Sequence, residues 1–199
     1  MTLHADALTV LRDWAAPSPE QEALRRRFVD HLERSPDGMT RECRPDHVTA
    51  SALVLDPALT RVLLTLHAKS GRWFQFGGHT EAHDRTLAGA ALRETVEESG
   101  LSPAELDLHP VPVRLDEHAV PFCWPGEQVH HLDVMYAAIA REGARHEISE
   151  ESLDVAWWPV DALPDDHLEP FVRPALELAQ STSSPGGDSR WAAADHPVR

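Results

Sequence analysis

Three glutamates near the middle of the chain, Glu94, Glu97 and Glu98, have the residue type and the spacing to hold a metal ion. Their i, i+3, i+4 spacing places the three carboxylates on one side of a helix. Like charges this close repel one another unless a cation lies among them. Mg²⁺ and Mn²⁺ prefer such oxygen ligands and bind them together with substrate phosphates. The alternative is a solvated acidic face with one ion pair between Arg93 and Glu97.

The segment that carries these acids is predicted to be a helix over residues 87–99. It contains no proline, and its alanines and leucines favour a helix. Gly100 is expected to cap its C-terminus, with Pro103 just beyond. Upstream, the pair Gly77-Gly78 lets the backbone approach another group closely, as tight turns and ligand contacts require.

Together these residues resemble the Nudix box. The family pattern is Gly, five residues, Glu, seven residues, Arg-Glu, an apolar residue, any residue, Glu-Glu, any residue, Gly and an apolar residue. Gly78 and the segment 93–101 match it, except that Thr95 fills an apolar position. Asp84 stands where the pattern has its first Glu, and one extra residue separates it from Arg93. We interpret Asp84 as a replacement that anchors the loop rather than binding metal.

The resemblance implies a Mg²⁺- or Mn²⁺-dependent hydrolase of a nucleoside diphosphate linked to another moiety, in which water cleaves the diphosphate. It implies Glu97 and Glu98 as the main metal ligands and the carbonyl group of Gly77 as a further one. Glu94 would be either another ligand or the general base. Arg93 would orient these acids rather than touch the substrate.

The family often adds one acid from a later loop, and the sequence offers several candidates for it. Glu150 and Glu151, just before the last predicted strand, are the best placed, ahead of Glu127 and Glu147. The sequence does not choose among them.

Several other residues near the box have a functional and a structural interpretation. His131 and Asp133 fall on one face of a predicted strand and His130 on the other, so the first two could face a cleft. At least one of the histidines is expected to be an ordinary hydrogen-bonded sheet residue. His79 could contact phosphate, and Trp73 is either a core residue or part of a base pocket.

Two other functions share the fold that the resemblance implies. A non-catalytic nucleotide-sensing Nudix module would normally carry an added DNA-binding domain, and the chain after the last predicted strand is short. Isopentenyl-diphosphate isomerases carry a motif similar to Cys-Gly-His-Pro at the glycine loop, whereas this chain has Phe76-Gly77-Gly78-His79-Thr80 there. The cysteine of that motif is therefore missing.

The composition and charge of the chain limit the kinds of molecule that it is expected to bind. The formal charge of −15 over 199 residues argues against non-specific nucleic-acid binding, which requires a basic surface. No apolar run approaches a membrane span, and the N-terminus lacks a signal-sequence pattern. Cys43 and Cys123 are expected to be reduced thiols in a cytoplasmic protein. We therefore expect a phosphorylated, nucleotide-derived small molecule as partner, with a homodimer left open.

The chain is predicted to have three parts. Residues 1–45 carry two helical patterns and form an N-terminal helical extension that packs on the domain or covers part of its cleft. In the second of these helices Ser18 is the predicted N-cap, and Gln21 can close a capping box. Residues 46–180 form the Nudix-like domain. Residues 181–199 are rich in Ser, Pro, Gly and Asp and are predicted to be a disordered tail.

The pattern of elements predicts an α/β fold, an α/β/α sandwich around a mixed β-sheet. Its predicted strands cover residues 47–55, 61–67, 106–116, 129–140 and 153–159. Its predicted helices cover residues 3–14, 19 to about 35, 87–99 and 171–179.

Overall fold

A computed structural model describes residues 1–68, 70–120, 128–148 and 152–182. The helices are α1 (Leu3–Asp13), α2 (Pro19–Arg34), α3 (Leu87–Ser99) and α4 (Glu169–Thr182). The strands are β1 (Asp46–Leu55), β2 (Arg61–His67), β3 (Trp73–Phe74), β4 (Phe76–His79), β5 (Leu106–Leu108), β6 (Arg114–Ala119), β7 (His130–Ala140) and β8 (Ser152–Pro159).

Strands β1 and β7 form the centre of a mixed eight-stranded sheet. They run parallel over their whole length, with Asp46 opposite His130 and Leu55 opposite Ile139. The outer side of β1 is shared between β4 and β2, both antiparallel to it. The outer side of β7 is shared in the same way between β6 and β5. Both central strands are buried almost throughout, as the apolar end of β7 predicts.

Helices cover both faces of this sheet, so the predicted α/β/α sandwich is confirmed. On one face, Val54 of the sheet packs in one cluster with Phe28 of α2 and Leu87 of α3. On the other face, Leu53 packs in a second cluster with Val172 of α4. Alternation along β1 sends successive side chains into these two cores.

The α4 side of β1 and β7 changes character along the strands. The first half of each strand carries polar side chains there, and the second half is apolar and packs in the α4 core. The polar positions are His47, Thr49 and Ser51 on β1 and His131 and Asp133 on β7; the apolar ones include Leu53, Leu55, Met135 and Ala137. A polar floor is therefore built next to the core on one continuous sheet face.

The single strand predicted over residues 106–116 is wrong. The chain forms β5 and β6 instead, and the interruption contains Pro110 and Pro112. A proline has no N–H to donate to a neighbouring strand, so this segment leaves the ladder. The flanking residues still donate to β7, from the N–H groups of His109 and Val113.

The N-terminal helices are part of the main packing rather than an appendage. Phe28 is fully buried, and the indole N–H of Trp14 donates to the carbonyl oxygen of Pro112 at 2.7 Å. Ser18 caps α2 as predicted, but Gln21 does not close the capping box with its side chain. Instead, the Gln21 amide binds the main-chain N–H and C=O of Leu115 in β6. The division into extension and domain stays a prediction.

At the C-terminal end, α4 runs to Thr182, two residues into the segment predicted to be a tail. The remaining residues of that segment, 183–199, lie outside the described residues. So do the loop candidates Glu127, Glu150 and Glu151, together with Cys123. Among the helices of the described part of the chain, none has the length and apolar character needed to cross a membrane.

Candidate active site

The box helix α3 is fixed at both ends. Its N-cap Thr86 accepts a hydrogen bond from the N–H of Gly89 at 3.0 Å, and the N–H of Leu87 donates to the Asp6 carboxylate of α1 at 2.8 Å. At the other end, Gly100 adopts the left-handed conformation with φ 71°, which confirms the predicted cap. The acids of α3 are therefore held in one position against β4.

Both glycines of β4 are required by close contacts. A Cβ atom on Gly77 would lie 2.3 Å from Cβ of Ser51 in β1. A Cβ atom on Gly78 would lie 2.8 Å from Oε2 of Glu94. The N–H of Gly77 donates to Oε2 of Glu98 at 3.1 Å. The glycine strand thus lies between β1 and the box helix, and two of the three glutamates reach it.

Arg93 joins the loop to the helix through a set of contacts that we call the Arg93 network. Its guanidinium group binds the carboxylates of Asp84 at 3.1 and 3.2 Å, Glu94 at 3.0 Å and Glu97 at 2.8 Å. It also donates to the carbonyl oxygen of His79 at 2.9 Å. Burial opposes the charge, but the hydrogen bond to Asp84 and the nearby carboxylates raise the pKa of Arg93. One cation is therefore shared by three carboxylates, those of Asp84, Glu94 and Glu97.

Asp84 has the anchoring role that the sequence predicts. Its carboxylate is almost completely buried and accepts the N–H of Glu81 at 2.8 Å in addition to the two bonds from Arg93. The longer loop has therefore kept the connection between this acid and the helix. The start of α3 is capped by Thr86 and not by Asp84.

A cavity of about 480 Å³ opens beside the glycine strand. Gly77, Gly78 and Glu98 form one wall, and the polar half of β1 and β7 forms its floor. The far end carries an arginine, two aromatic rings and a histidine, namely Arg72, Phe74, Phe171 and His167. Cavities of this size hold small-molecule ligands in other proteins. Among the described residues that line it, none comes from α1 or α2.

Asp133 is the most deeply buried acid of the cavity floor. Its two carboxylate oxygens accept hydrogen bonds from the hydroxyl groups of Thr49 at 2.9 Å and Ser51 at 2.5 Å. Burial raises the pKa of Asp133, although the hydrogen bond from Ser51 acts in the other direction. The sequence placed His131 and Asp133 on one strand face, and the structure directs both into the same cavity.

Three histidines from three strands meet at one end of this floor. His47 of β1, His79 of β4 and His131 of β7 have ring centroids 4.8–5.0 Å apart. Burial, reinforced by the neighbouring imidazoles, lowers the pKa of His131 to about 2. Burial also lowers the pKa of His47. Sequence reasoning missed this group because only the strand register brings His47 opposite His131.

A fourth imidazole lies next to this group on β6. The ring centroid of His118 is 5.4 Å from that of His131, and its Nδ1 lies 2.9 Å from the Asp116 carboxylate. Burial opposes protonation of His118, but Asp116 and the nearby Asp133 raise its pKa. The cavity floor therefore contains one imidazole whose pKa is lowered and one whose pKa is raised.

The predicted site residues are only partly brought together. Glu98 and Gly77 line the cavity, and Glu94 lies directly behind Gly78. Glu97 lines a second pocket instead, where its side chain is more than half exposed and bound to Arg93. The loop candidate Glu147 lies at the C-terminus of α3, where its N–H donates to the carbonyl oxygen of Ser99.

The acids of α3 and the main chain of β4 fit a hard divalent cation by their chemistry. Carboxylate and carbonyl oxygens are the ligands that Mg²⁺ takes. Glu94 and Glu98 both approach the glycine strand, which puts Gly77 within the same group. In the described part of the chain, two groups of three potential ligands have all their ligand atoms within 4.8 Å, and neither includes these glutamates. The acids are spread by their bonds to Arg93 and Gly77.

Comparison with known families gives one match. A family model described as the NUDIX domain matches residues 45–179. No curated protein sequence matches the chain significantly.

Solved structures with the same fold are numerous. A NUDIX-family hydrolase from Clostridium perfringens is 22% identical, with a TM-score of 0.52, and the match covers 67% of this chain and 97% of that one. The Ap4A hydrolase of C. elegans in a binary complex is 16% identical, with a TM-score of 0.56 and the same coverage. The NUDIX domain of Shewanella oneidensis NrtR, complexed with ADP ribose, is 20% identical, with a TM-score of 0.51, and the match covers 69% and 90% of the two chains. At these identities the likeness shows the fold alone.

Proposed function

The chain belongs to the NUDIX family, and on that premise we propose that it hydrolyses the diphosphate of a nucleoside diphosphate linked to another moiety, with a divalent metal ion. The observation that carries the proposal is the shared wall of the cavity. Gly77, Gly78 and Glu98 of the box form that wall, so a ligand in the cavity lies directly against the box.

The residues proposed to hold Mg²⁺ or Mn²⁺ are Glu94, Glu97 and Glu98 with the carbonyl oxygen of Gly77. When bound, such an ion neutralises diphosphate charge and lowers the pKa of a coordinated water. Glu98 is positioned by the N–H of Gly77, and Glu94 by Arg93 and by the absence of a side chain on Gly78. Glu94 is proposed as either a further metal ligand or the general base.

Arg93 is proposed to act on these acids and not on the substrate. Its bonds to Glu94 and Glu97 fix the side-chain directions of both acids, and its bond to the His79 carbonyl ties the helix to the glycine strand. The Arg93 side chain is only 13% exposed, which leaves it little surface for a ligand. The loop acids Glu150 and Glu151 stay predictions for an additional catalytic role.

The far end of the cavity supports a substrate with a second group beyond the diphosphate. Phe74 and Phe171 offer ring faces or edges, and Arg72 offers a cation, although it is paired with Asp165. The solved relatives add two substrate classes for a first screen, because one is an Ap4A hydrolase and another is bound to ADP ribose. We therefore place dinucleoside polyphosphates and ADP ribose first, followed by nucleotide sugars and nucleoside triphosphates.

The experiment is a phosphate-release screen over these classes with Mg²⁺ and with Mn²⁺, followed by variants on the best substrate. Glu97→Gln and Glu98→Gln should each leave less than about a tenth of the wild-type turnover at saturating metal, a loss of at least ~1.4 kcal/mol of transition-state stabilisation. Glu142→Gln is the matched control, since Glu142 is an exposed acid away from the cavity.

Two results would contradict the proposal. One is a variant, Glu97→Gln or Glu98→Gln, that folds by circular dichroism and keeps more than a tenth of wild-type turnover. That result would show that the acid concerned does not bind the catalytic metal. The other is tight nucleotide binding by calorimetry with no turnover in any class, which would favour the non-catalytic sensing module.

A further inference from the structure

The described residues contain two groups of three side chains whose potential metal ligands lie within 4.8 Å of one another. One consists of Asp46, Glu117 and His130, and the other of His47, His79 and His131. We call the second group the histidine triad. The two groups differ in the side chains that surround them.

The first group already has a cation of its own. The guanidinium group of Arg27 contacts the carboxylates of Asp46 and Glu117, and Nδ1 of His130 lies 2.9 Å from the other oxygen of Asp46. Despite burial, the bonds from His130 and Arg27 lower the pKa of Asp46. This group is a complete ion-pair network between α2 and the sheet, and it carries no metal proposal.

The histidine triad is different because its members face one another. Nε2 of His79 and Nε2 of His47 are 3.1 Å apart, and the three histidines each have one ring nitrogen within 4.8 Å of those of the other two. A tetrahedral Zn²⁺ with Zn–N bonds of about 2.0–2.1 Å sets its nitrogen ligands about 3.3–3.4 Å apart. The pair His47–His79 already has close to this separation, and the third imidazole is near it.

The surroundings of His47 fix which of its nitrogens is available. His47 is fully buried, and its Nδ1 lies 3.3 Å from the carbonyl oxygen of Cys43. A carbonyl oxygen can only accept, so Nδ1 carries the proton and Nε2 presents its lone pair toward Nε2 of His79. Metal-binding histidines are typically oriented by such a bond from the second ring nitrogen to a main-chain carbonyl.

The triad is also built on rigid elements. Its members lie on three hydrogen-bonded strands, with His47 directly opposite His131 and His79 opposite Thr49, two residues along from His47. We propose that His47, His79 and His131 bind a divalent transition metal, with Zn²⁺ as the reference ion, at a site separate from the hard-cation site of the glutamates.

The ligand chemistry separates the two sites. Imidazole nitrogens favour Zn²⁺, Co²⁺, Ni²⁺ and Cu²⁺, whereas Mg²⁺ takes oxygen ligands and is held poorly by three imidazoles. Three protein ligands leave a fourth position of a tetrahedral ion open. His131 lines the cavity, so the ion would border the space proposed for the substrate.

The test measures metal binding and does not depend on enzyme activity. Full-length protein without an affinity tag is stripped with a chelator and titrated with Co²⁺ in excess Mg²⁺, following the visible ligand-field absorption. Zn²⁺ stoichiometry is measured by equilibrium dialysis and elemental analysis. We expect about one Zn²⁺ per chain, retained in excess Mg²⁺, as the ligand preference of imidazole requires.

The variants are His79→Gln and His131→Gln, chosen because both residues are partly exposed whereas His47 is fully buried. Each should weaken Zn²⁺ binding by more than the roughly 10–100-fold that loss of an outer-shell partner causes. His83→Gln is the matched control, because His83 is an exposed histidine four positions after His79. Glu98→Gln should also keep the Zn²⁺ site while it loses turnover, which separates this inference from the proposed function.

X-ray absorption at the zinc edge of the wild-type protein gives a second measurement that needs no variant. Scattering from three imidazole rings is expected. The inference is overturned if the wild type binds no Zn²⁺ in excess Mg²⁺. It is equally overturned if both histidine variants bind as tightly as His83→Gln, or if the spectrum shows oxygen ligands without imidazole.

Discussion

The Arg93 network and the cavity floor each bury one aspartate, and they satisfy it in different ways. Asp84 receives a cation, Arg93, together with one main-chain N–H. Asp133 receives two hydroxyl groups, from Thr49 and Ser51, and burial raises its pKa. A carboxylate paired with a guanidinium group keeps its charge at low cost, whereas one held by hydroxyl groups in a buried floor favours the protonated form more. The network therefore pairs its buried aspartate with a cation, and the floor surrounds its buried aspartate with neutral donors.

Breaking the network should give the largest effect. Arg93→Met leaves Asp84 buried without its cation and is expected to lower the free energy of unfolding by about 3 kcal/mol, the lower end for a buried ion pair that loses one partner. Urea denaturation would measure this. The control Arg12→Met breaks an exposed pair with Glu33 and should cost under about 1 kcal/mol. Equal losses in the two variants would show that the Arg93 network is an ordinary surface feature.

Removing the acid instead of the cation should cost less. Asp84→Ala leaves Arg93 bound to Glu94 and Glu97, so we expect a loss of about 0.5–2 kcal/mol, the range for lost caps and hydrogen bonds. Metal affinity should change only modestly, and Asp161→Ala, at an exposed acid, is the control. A Mg²⁺ titration in which Asp84→Ala binds as weakly as Glu97→Gln would instead place Asp84 in the metal site.

On the cavity floor, Ser51→Ala tests the hydroxyl side of the comparison. The alanine keeps the Cβ atom that packs against Gly77 and removes only the bond to Asp133. We expect a stability loss of about 0.5–1.5 kcal/mol, as for a typical hydrogen bond, because Thr49 still donates to the same carboxyl group. Thermal unfolding of this variant and of Thr49→Val would check this. A loss as large as that of Arg93→Met would show that Asp133 is ionised and depends on the Ser51 hydroxyl group for its stabilisation.

The smallest effect is expected for a third buried acid, Asp6, which caps the box helix through the N–H of Leu87. Burial raises the pKa of Asp6 above its ordinary value of 3.8, with the bond from Leu87 acting against the shift. The contribution of protonated Asp6 to the free energy of unfolding is thus fully present below pH 3.8, and it is lost as the pH rises through the pKa of Asp6 in the folded state. Asp6→Asn keeps an acceptor and cannot ionise, so it should be unchanged at low pH and relatively more stable at neutral pH.

Denaturation of wild type and Asp6→Asn at a series of pH values would measure this difference. Asp13→Asn, at an exposed position of the same helix, is the control. A difference that is constant with pH would mean that Asp6 ionises equally in the folded and unfolded chain.

The box and its helix were predictable because their signals are local. Helix propensity, the cap at Gly100 and the spacing of the acids all lie within one short segment, and the structure has the predicted helix. The family match confirms the prediction of a Nudix-type pyrophosphohydrolase. The break between β5 and β6 also has a local signal, the prolines Pro110 and Pro112, which the predicted strand over residues 106–116 did not take into account.

The histidine triad and the cavity floor could not be predicted in the same way. Alternation places His131 and Asp133 on one face of β7, but only the parallel register with β1 sets His47 opposite His131 and Thr49 opposite Asp133. The sequence also placed Glu97 and Glu98 side by side, and the structure sends them to different cavities because Arg93 binds one and Gly77 the other. The sequence alone thus determined the family, the helix and its acids, since those depend on neighbours in the chain. Strand register brings Thr49 to Asp133, 84 positions along the chain, and side-chain pairing brings Gly77 to Glu98, 21 positions along, so only the tertiary structure decided which residues share a site.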